Sequence, residues 1–153
     1  MPAASTSEHA PPTAGRLLYR EPIATRSLND AERRLLDFLL DDHFEGRAEL
    51  LAQAATVKTA GSSCSCGCPS FSLVADRSLP RADVGYPAAE AHGLDPGGNR
   101  VGVLLFARDR YLDEVEVFNW TDSAFAGLPH PDKLRHSHWS EPDGSGVRRL
   151  LNE

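Results

Sequence analysis

Two helical patterns followed by short alternating segments predict an α+β domain, with two N-terminal helices packed on a mostly antiparallel sheet of three to four strands. The 153 residues and the 41% hydrophobic content are enough for one core. We expect this single domain to span residues 17–135. Residues 1–16, rich in Pro, Ala, Ser and Thr, are expected to form a disordered tail, and residues 136–153 a surface tail.

The first helix is predicted from the segment SLNDAERRLLDFLLDDHFEG. Asn29 can cap it, with Glu32 three residues later in a capping-box arrangement. Four leucines then form an apolar stripe at helical spacing: Leu35, Leu36, Leu39 and Leu40. Gly46 is expected to stop this helix, and RAELLAQAA to form the second one.

After residue 56 the spacing of the apolar residues changes from the helical period to strict alternation. TVKT and FSLVAD predict two short strands, and an edge strand is expected within residues 84–91. The segment VGVLLFARDRYLDEVEVFNW predicts a hairpin that turns near Asp109. Its apolar run VGVLLF indicates a central strand buried on both faces, and the chain beyond Trp120 is expected to be loop-like.

The composition indicates which binding partners and which cellular compartment to expect. The net charge of −6, from 16 basic and 22 acidic residues, repels phosphates and anionic lipids, so neither nucleic acid nor membrane is an expected partner. The N-terminus lacks the pattern of a secretory signal, and no apolar run approaches the roughly 20 residues of a membrane helix. We therefore expect a cytoplasmic protein, in which a structural disulfide is the least expected role for three cysteines.

The stretch GSSCSCGCPS holds all three cysteines, Cys64, Cys66 and Cys68. In an extended segment successive sulfurs would lie roughly 6.5–7 Å apart, too wide for one tetrahedral ion. A metal site requires Gly67 and Pro69 to curl the chain.

A zinc site would also need a fourth ligand, for which the segment HSHW offers His136 and His138. Three thiolates could instead hold Cu(I). The competing interpretations are a tight turn with small buried cysteines, which we favour, and a redox pair or nucleophile. No cofactor is therefore expected, with zinc or copper as the alternative.

Two acidic groups are candidates for binding a partner. The segment DDHFE places Asp41, Asp42 and Glu45 at the C-terminal end of the first helix, where the helix dipole disfavours negative charge. This placement suggests a docking patch for a basic partner, although we favour the simpler explanation of a solvated helix end.

The second group lies on the last predicted strand, where Glu114 and Glu116 share one face. Paired carboxylates can perform acid–base catalysis, but this alternation is what a half-exposed strand shows, and we favour that interpretation. An acidic sheet face could also belong to the same docking surface. Trp120 can anchor such an interface or close the edge of the core.

The segments NDAERRLLDFLL, SCSCGCPS and VGVLLFARDRYLDEVEVF together resemble a group of small uncharacterised proteins of high-GC Gram-positive bacteria. That group shares an ERRLL-like helix, a CxCGCPS-like turn and a closing strand rich in Glu and Val. The resemblance covers residues of about 28–135. It implies a stand-alone bacterial domain, without a known activity, catalytic residue or cofactor.

The sequence therefore favours a non-catalytic binding or regulatory protein that engages a protein partner through an acidic surface. No Walker loop, GxGxxG, GxSxG or HExxH motif is present, which argues against the common enzyme classes. The alternative is a thiolate protein that binds zinc or copper through the CxCxC cluster. A third hypothesis is an enzyme with a reactive cysteine.

Overall fold

The computed structural model describes residues 23–62, 65–140, 144–145 and 148–151. The tail expected at residues 1–16 lies outside these ranges. Within them the chain forms an α+β fold of two helices, a five-stranded sheet and a two-stranded sheet. The helices are α1 (Asp30–Leu40) and α2 (Arg47–Ala54). No helix in the described part of the chain is long and apolar enough to cross a membrane.

The start of α1 confirms the predicted capping box. The Asn29 side chain accepts a hydrogen bond from the Glu32 amide at 2.8 Å, and the Glu32 carboxylate accepts one from the Asn29 amide at 2.8 Å. Arg26 donates to the same carboxylate at 2.7 and 3.1 Å. Burial by itself raises the pKa of Glu32, but these hydrogen bonds and the Arg26 charge outweigh it and hold that pKa below its usual value.

The predicted end of α1 is wrong. The helix ends at Leu40, and the Asp41 amide donates to the Phe38 carbonyl at 3.1 Å. Gly46 instead precedes α2, in a left-handed conformation with φ of 84°. A Cβ at this position would lie 2.5 Å from the Asp83 carbonyl oxygen, so glycine serves a close approach as well as a turn.

The strands are short except for the central hairpin. β1 (Arg26–Ser27) pairs with β2 (Lys58–Thr59) in the small sheet. The large sheet contains β3 (Phe71–Ser72), β4 (Ala89–Leu94), β5 (Arg100–Arg108), β6 (Tyr111–Asn119) and β7 (Leu134–His136). Its order is β3-β6-β5-β4-β7, and every neighbouring pair is antiparallel.

This sheet corrects three expectations. It has five strands rather than three or four. The segment expected to form an edge strand contributes β4, which lies inside the sheet between β5 and β7. A short 3-10 helix (Pro131–Lys133) and β7 occupy a region expected to be loop, so the chain is still in the sheet at His136, where the surface tail was expected to begin.

The central hairpin is confirmed. Asp109 and Arg110 form its turn with φ of 52° and 70°, the positive values that a two-residue turn between twisted strands requires. One face of the hairpin packs into the core with α1 and α2 through Val101, Val103, Leu105, Val115 and Val117. The expected burial of the apolar strand on its second face is wrong, because Leu104 and Phe106 remain half-exposed there.

Candidate functional site

The face of the large sheet that points away from the helices carries alternating acidic and apolar side chains. Across the strands, Glu90 of β4 lies opposite Leu104 of β5, which lies opposite Glu116 of β6. The next pair along β5 and β6 is Phe106 and Glu114. Together with Phe118 these residues define the open sheet face: Glu90, Leu104, Phe106, Glu114, Glu116 and Phe118.

Phe118 lies flat across this face because its neighbour on β5 is Gly102. A Cβ on Gly102 would overlap the Phe118 ring, so the ring takes the space that a side chain would fill. Trp120 packs beside the same ring with the centroids 5.7 Å apart, and 52% of Trp120 stays exposed. The end of β6 therefore carries two adjacent aromatic side chains.

The cysteine stretch lies beside β6 just before β3 begins. Ser70 is buried, and its hydroxyl accepts a hydrogen bond from the Val117 amide at 2.8 Å. This bond satisfies an amide of β6 that no neighbouring described strand pairs with on that side. The Cys68 thiol donates to the Ser70 hydroxyl at 3.3 Å. Cys66 is exposed and disulfide-bonded. The stretch is therefore a loop anchored to β6 through Ser70.

A groove of about 360 Å³ lies between this loop and β6. We call it the cysteine groove. It is lined by Cys66, Cys68, Ser70, Glu114, Glu116, Val117, Phe118, Asn119 and Phe125. The structure thus brings two of the predicted metal-ligating cysteines together with both carboxylates of the predicted docking strand.

The predicted histidines form a different cluster at the other end of the sheet. His136 of β7 stacks on Phe38 of α1 with ring centroids 4.2 Å apart and planes 5° from parallel. Its Nδ1 lies 3.9 Å from the Asp42 carboxylate, and His138 Nε2 lies 3.1 Å from the same carboxylate. We call these four residues the histidine cluster.

The environment of His136 favours its neutral form. Burial lowers the pKa of His136, Asp42 and Asp41 act to raise it, and His138 acts to lower it further. The net pKa lies below the ordinary value of 6.5. A half-buried neutral imidazole stacked on a phenyl ring contributes to packing in the way an aromatic side chain does.

His136 and His138 lie far from Cys66 and Cys68. The cysteine loop borders β3 and β6, whereas His136 lies on β7, at the opposite edge of the sheet. Four strand spacings separate β3 from β7, roughly 19 Å. Within residues 23–62, 65–140, 144–145 and 148–151, no three His, Cys, Asp or Glu side chains are arranged to hold a metal ion. Cys64 lies outside the described residues, so a thiolate site remains a prediction.

The expectation that a disulfide is the least suitable role for the cysteines is wrong for Cys66. An odd number of cysteines excludes complete pairing, but three cysteines can still form one disulfide and leave one thiol. Cys68 is the thiol among the described cysteines.

The predicted acidic patch after α1 reaches one end of the open sheet face, because Asp42 and Glu90 line the same groove. Asp41 and Glu45 are exposed, whereas Asp42 is half-buried and contacts His138. Part of this negative charge is therefore used inside the molecule. The contact with His138 gives Asp42 a structural role that the sequence did not suggest.

Several residues of the face and groove were missed by the sequence argument. Phe118 continues the alternation of Glu114 and Glu116, so its position on the same face was available from the strand pattern. Glu90 alternates in the same way with Ala89 and Ala91. Phe125 follows the last long strand in a loop, and no sequence pattern indicates that it returns to β6.

Comparisons with protein-family models, curated proteins and solved structures give no match to this chain.

Proposed function

We propose that this chain is a non-catalytic binding or regulatory protein that recognises a basic protein segment through its open sheet face and the adjoining cysteine groove. The observation that supports this proposal most directly is the arrangement of carboxylates and aromatic rings on that face. Glu90, Glu114 and Glu116 alternate with Leu104 and Phe106 across three strands.

The alternation suits a partner whose own side chains alternate. Glu114 and Glu116 are two residues apart on one strand, so their side chains leave the sheet roughly 6.5–7 Å apart. An extended segment with arginine or lysine at every second position repeats at the same distance. Such a segment can place a cation near each carboxylate and apolar side chains against Phe106 and Phe118.

The aromatic side chains supply the apolar part of the surface. Trp120 is 52% exposed, and Tyr86 is 74% exposed while packed 4.5 Å from the Phe106 ring. Exposed aromatic residues commonly dominate the energy of protein interfaces. Their ring faces also attract guanidinium groups, which adds to the preference for an arginine-containing partner.

The charge of the whole molecule acts in the same direction. A net charge of −6 raises the rate at which a cationic partner arrives and disfavours acidic ones. In the groove itself, a planar guanidinium can bind a carboxylate through two hydrogen bonds, whereas an ammonium cannot. We therefore expect arginine to be preferred over lysine.

The test is a titration of ¹⁵N-labelled protein with a peptide of alternating arginine and leucine, with a glutamate–leucine peptide as the negative probe. We expect chemical-shift changes along β6 and the cysteine loop. Replacing Glu114 and Glu116 together (E114Q/E116Q) should weaken binding about tenfold or more.

The matched control is D41N/E45Q, which removes the same charge from exposed positions after α1. It should change the affinity by less than about twofold. Equal losses in the two variants would mean that the peptide responds to net charge alone. Shift changes confined to the helices, or no binding of the arginine peptide, would contradict the proposed surface.

A further inference from the structure

A short basic segment of the chain lies against one end of the open sheet face. Residues 148–151 have the sequence Arg-Arg-Leu-Leu, and we call them the RRLL segment. They pair with the chain just beyond β7. The Ser140 amide donates to the Arg149 carbonyl at 2.8 Å, and the Leu151 amide donates to the His138 carbonyl at 2.7 Å. These backbone hydrogen bonds fix where the segment lies.

Arg148 of this segment lies near a carboxylate of the open sheet face. The Trp139 indole Nε1 donates to the Glu90 carboxylate at 2.8 Å, and the Arg148 guanidinium lies over the same indole ring, 5.9 Å from its centroid. Arg148 also borders a groove of about 230 Å³ together with Glu90 and Tyr86. The segment thus brings an arginine to a groove lined by an acidic residue and an exposed tyrosine, the features proposed to attract an arginine-containing partner.

Leu150 adds an apolar side chain to the same end of the face. It lines a cavity of about 150 Å³ together with His92 and Trp120. His92 lies two residues beyond Glu90 on β4, and Trp120 packs against Phe118, so the cavity is on the side of the sheet that carries the open sheet face. The RRLL segment therefore covers the β4 side of that face with a leucine as well as an arginine.

We propose that the RRLL segment is an internal competitor for the basic partner, which reaches Glu90 only after displacing the segment. This inference rests on the proposed function and names the regulation of the same surface. The segment has the composition expected of the partner, arginine with leucine, and it lies at Glu90 and Trp120, which the partner also uses. Glu114 and Glu116 line the cysteine groove instead, so the segment weakens binding without abolishing it.

The segment is attached weakly enough to leave. Arg148, Arg149 and Leu151 are exposed, whereas Leu150 is half-buried. Segments with few buried apolar contacts and exposed hydrogen bonds open at a small fraction of the free energy of global unfolding. A competitor of this kind reduces the apparent affinity in proportion to the fraction of molecules that it leaves open. A segment that is in place in about four molecules out of five weakens partner binding about fivefold.

The first experiment titrates the isotopically labelled full chain with the arginine–leucine peptide and observes the segment itself. Trp139 and Leu150 are directly opposed, so their α-protons should give a strong nuclear Overhauser effect in the protein alone. As the peptide saturates its site, this effect should disappear and the Leu151 amide should lose protection from hydrogen exchange. An effect that is absent without peptide, or that persists at saturation, would overturn the inference and leave the proposed function standing.

The second experiment measures peptide affinity in Leu150→Ser. This variant removes the half-buried leucine from the cavity, so the segment is released more often and the peptide should bind about fivefold more tightly. Leu151→Ser is the matched control, because it removes the same kind of side chain from the next position, where Leu151 is 66% exposed. The control should change the affinity by less than about twofold. Unchanged or weaker binding by Leu150→Ser, or equal gains in the two variants, would overturn the inference.

A third variant, Trp139→Phe, tests the contact at the carboxylate. It keeps a ring at this position but removes the N–H that donates to Glu90. We expect the peptide to bind about twofold more tightly or better, and this gain should vanish when Glu90→Gln is present in both proteins. A gain that persists without the Glu90 carboxylate would overturn the assigned competition. Absence of peptide binding in every variant would overturn the proposed function, and this inference with it.

Discussion

The two edges of the large sheet use the same kinds of side chain for different purposes. At the β7 edge, His136 packs on Phe38 and His138 contacts Asp42 at 3.1 Å, so polar groups there hold the chain's own segments together. Toward the β3 edge, Glu114 and Glu116 of β6 line a groove of about 360 Å³ beside the loop that carries the disulfide-bonded Cys66. Residue type alone does not distinguish the two clusters, because the difference lies in the surroundings that the fold gives to the side chains.

Two glycines allow the two edges to be disrupted separately. Gly93 lies on β4 where β7 passes, and a Cβ there would overlap the Lys133 carbonyl oxygen. Gly102 lies on β5 beneath the Phe118 ring. A backbone carbonyl at the start of a paired strand cannot move aside, whereas a half-exposed ring can. The same substitution should therefore have different consequences at the two sites.

The largest expected effect is that of Gly93→Ala. Because β7 must leave its place beside β4, we expect a loss of at least ~3 kcal/mol in the free energy of unfolding. Urea denaturation measures this loss, and hydrogen exchange should show that the amides of β7 lose protection. Gly144→Ala is the control, since no atom lies within 4 Å of its Cβ position. A destabilisation of less than ~1 kcal/mol by Gly93→Ala would contradict the assigned contact.

A smaller effect is expected from Gly102→Ala. The Phe118 ring must swing away from the sheet, at a cost of about 1–2 kcal/mol. The arginine–leucine peptide should then bind more weakly, because the ring forms part of the groove. The NMR signals of His136 should not move in this variant. Shifts at His136 as large as those at Phe118 would show that the two edges are not independent.

The smallest expected effect is the pH dependence of the histidine cluster. The pKa of His136 is lowered in the folded protein, so the unfolded chain binds the proton more tightly. The stability that neutral His136 contributes is fully present above pH 6.5, its ordinary pKa, and is lost as the pH falls through the folded value. A histidine C2–H titration should give a folded pKa below 6.5.

The variant Asp42→Asn tests how the Asp42 carboxylate affects the pKa of His136. The Asp42 carboxylate raises the pKa of His136, so its removal should lower that pKa further and extend the loss of stability to lower pH. Peptide binding in the cysteine groove should not change, since Asp42 lies in the other cluster. A His136 pKa that rises in this variant would contradict the assigned role of the carboxylate.

Short-range sequence patterns were sufficient to predict some elements of the fold. The capping box of Asn29 and Glu32, the four buried leucines of α1 and the hairpin turn at Asp109 depend on residues close together in sequence. Their hydrogen bonds and periodicities can be evaluated without knowing the rest of the fold. The α+β class follows from the same local patterns.

Other elements depended on contacts between distant segments. β7 is three residues long, and it exists because a longer strand, β4, supplies the hydrogen bonds. A pattern of two or three residues is too short to indicate a strand. The same limit explains why β4 was expected at an edge when it lies inside the sheet.

The sequence by itself determined which residues have the chemistry to act: Cys66, Cys68, His136, Glu114 and Glu116 were all candidates from their types and spacing. The tertiary structure decided which of them meet. Strand order places the cysteines beside the glutamates and sets the histidines roughly 19 Å away. Strand order arises from pairing between segments tens of residues apart, and one-dimensional spacing carries no information about it.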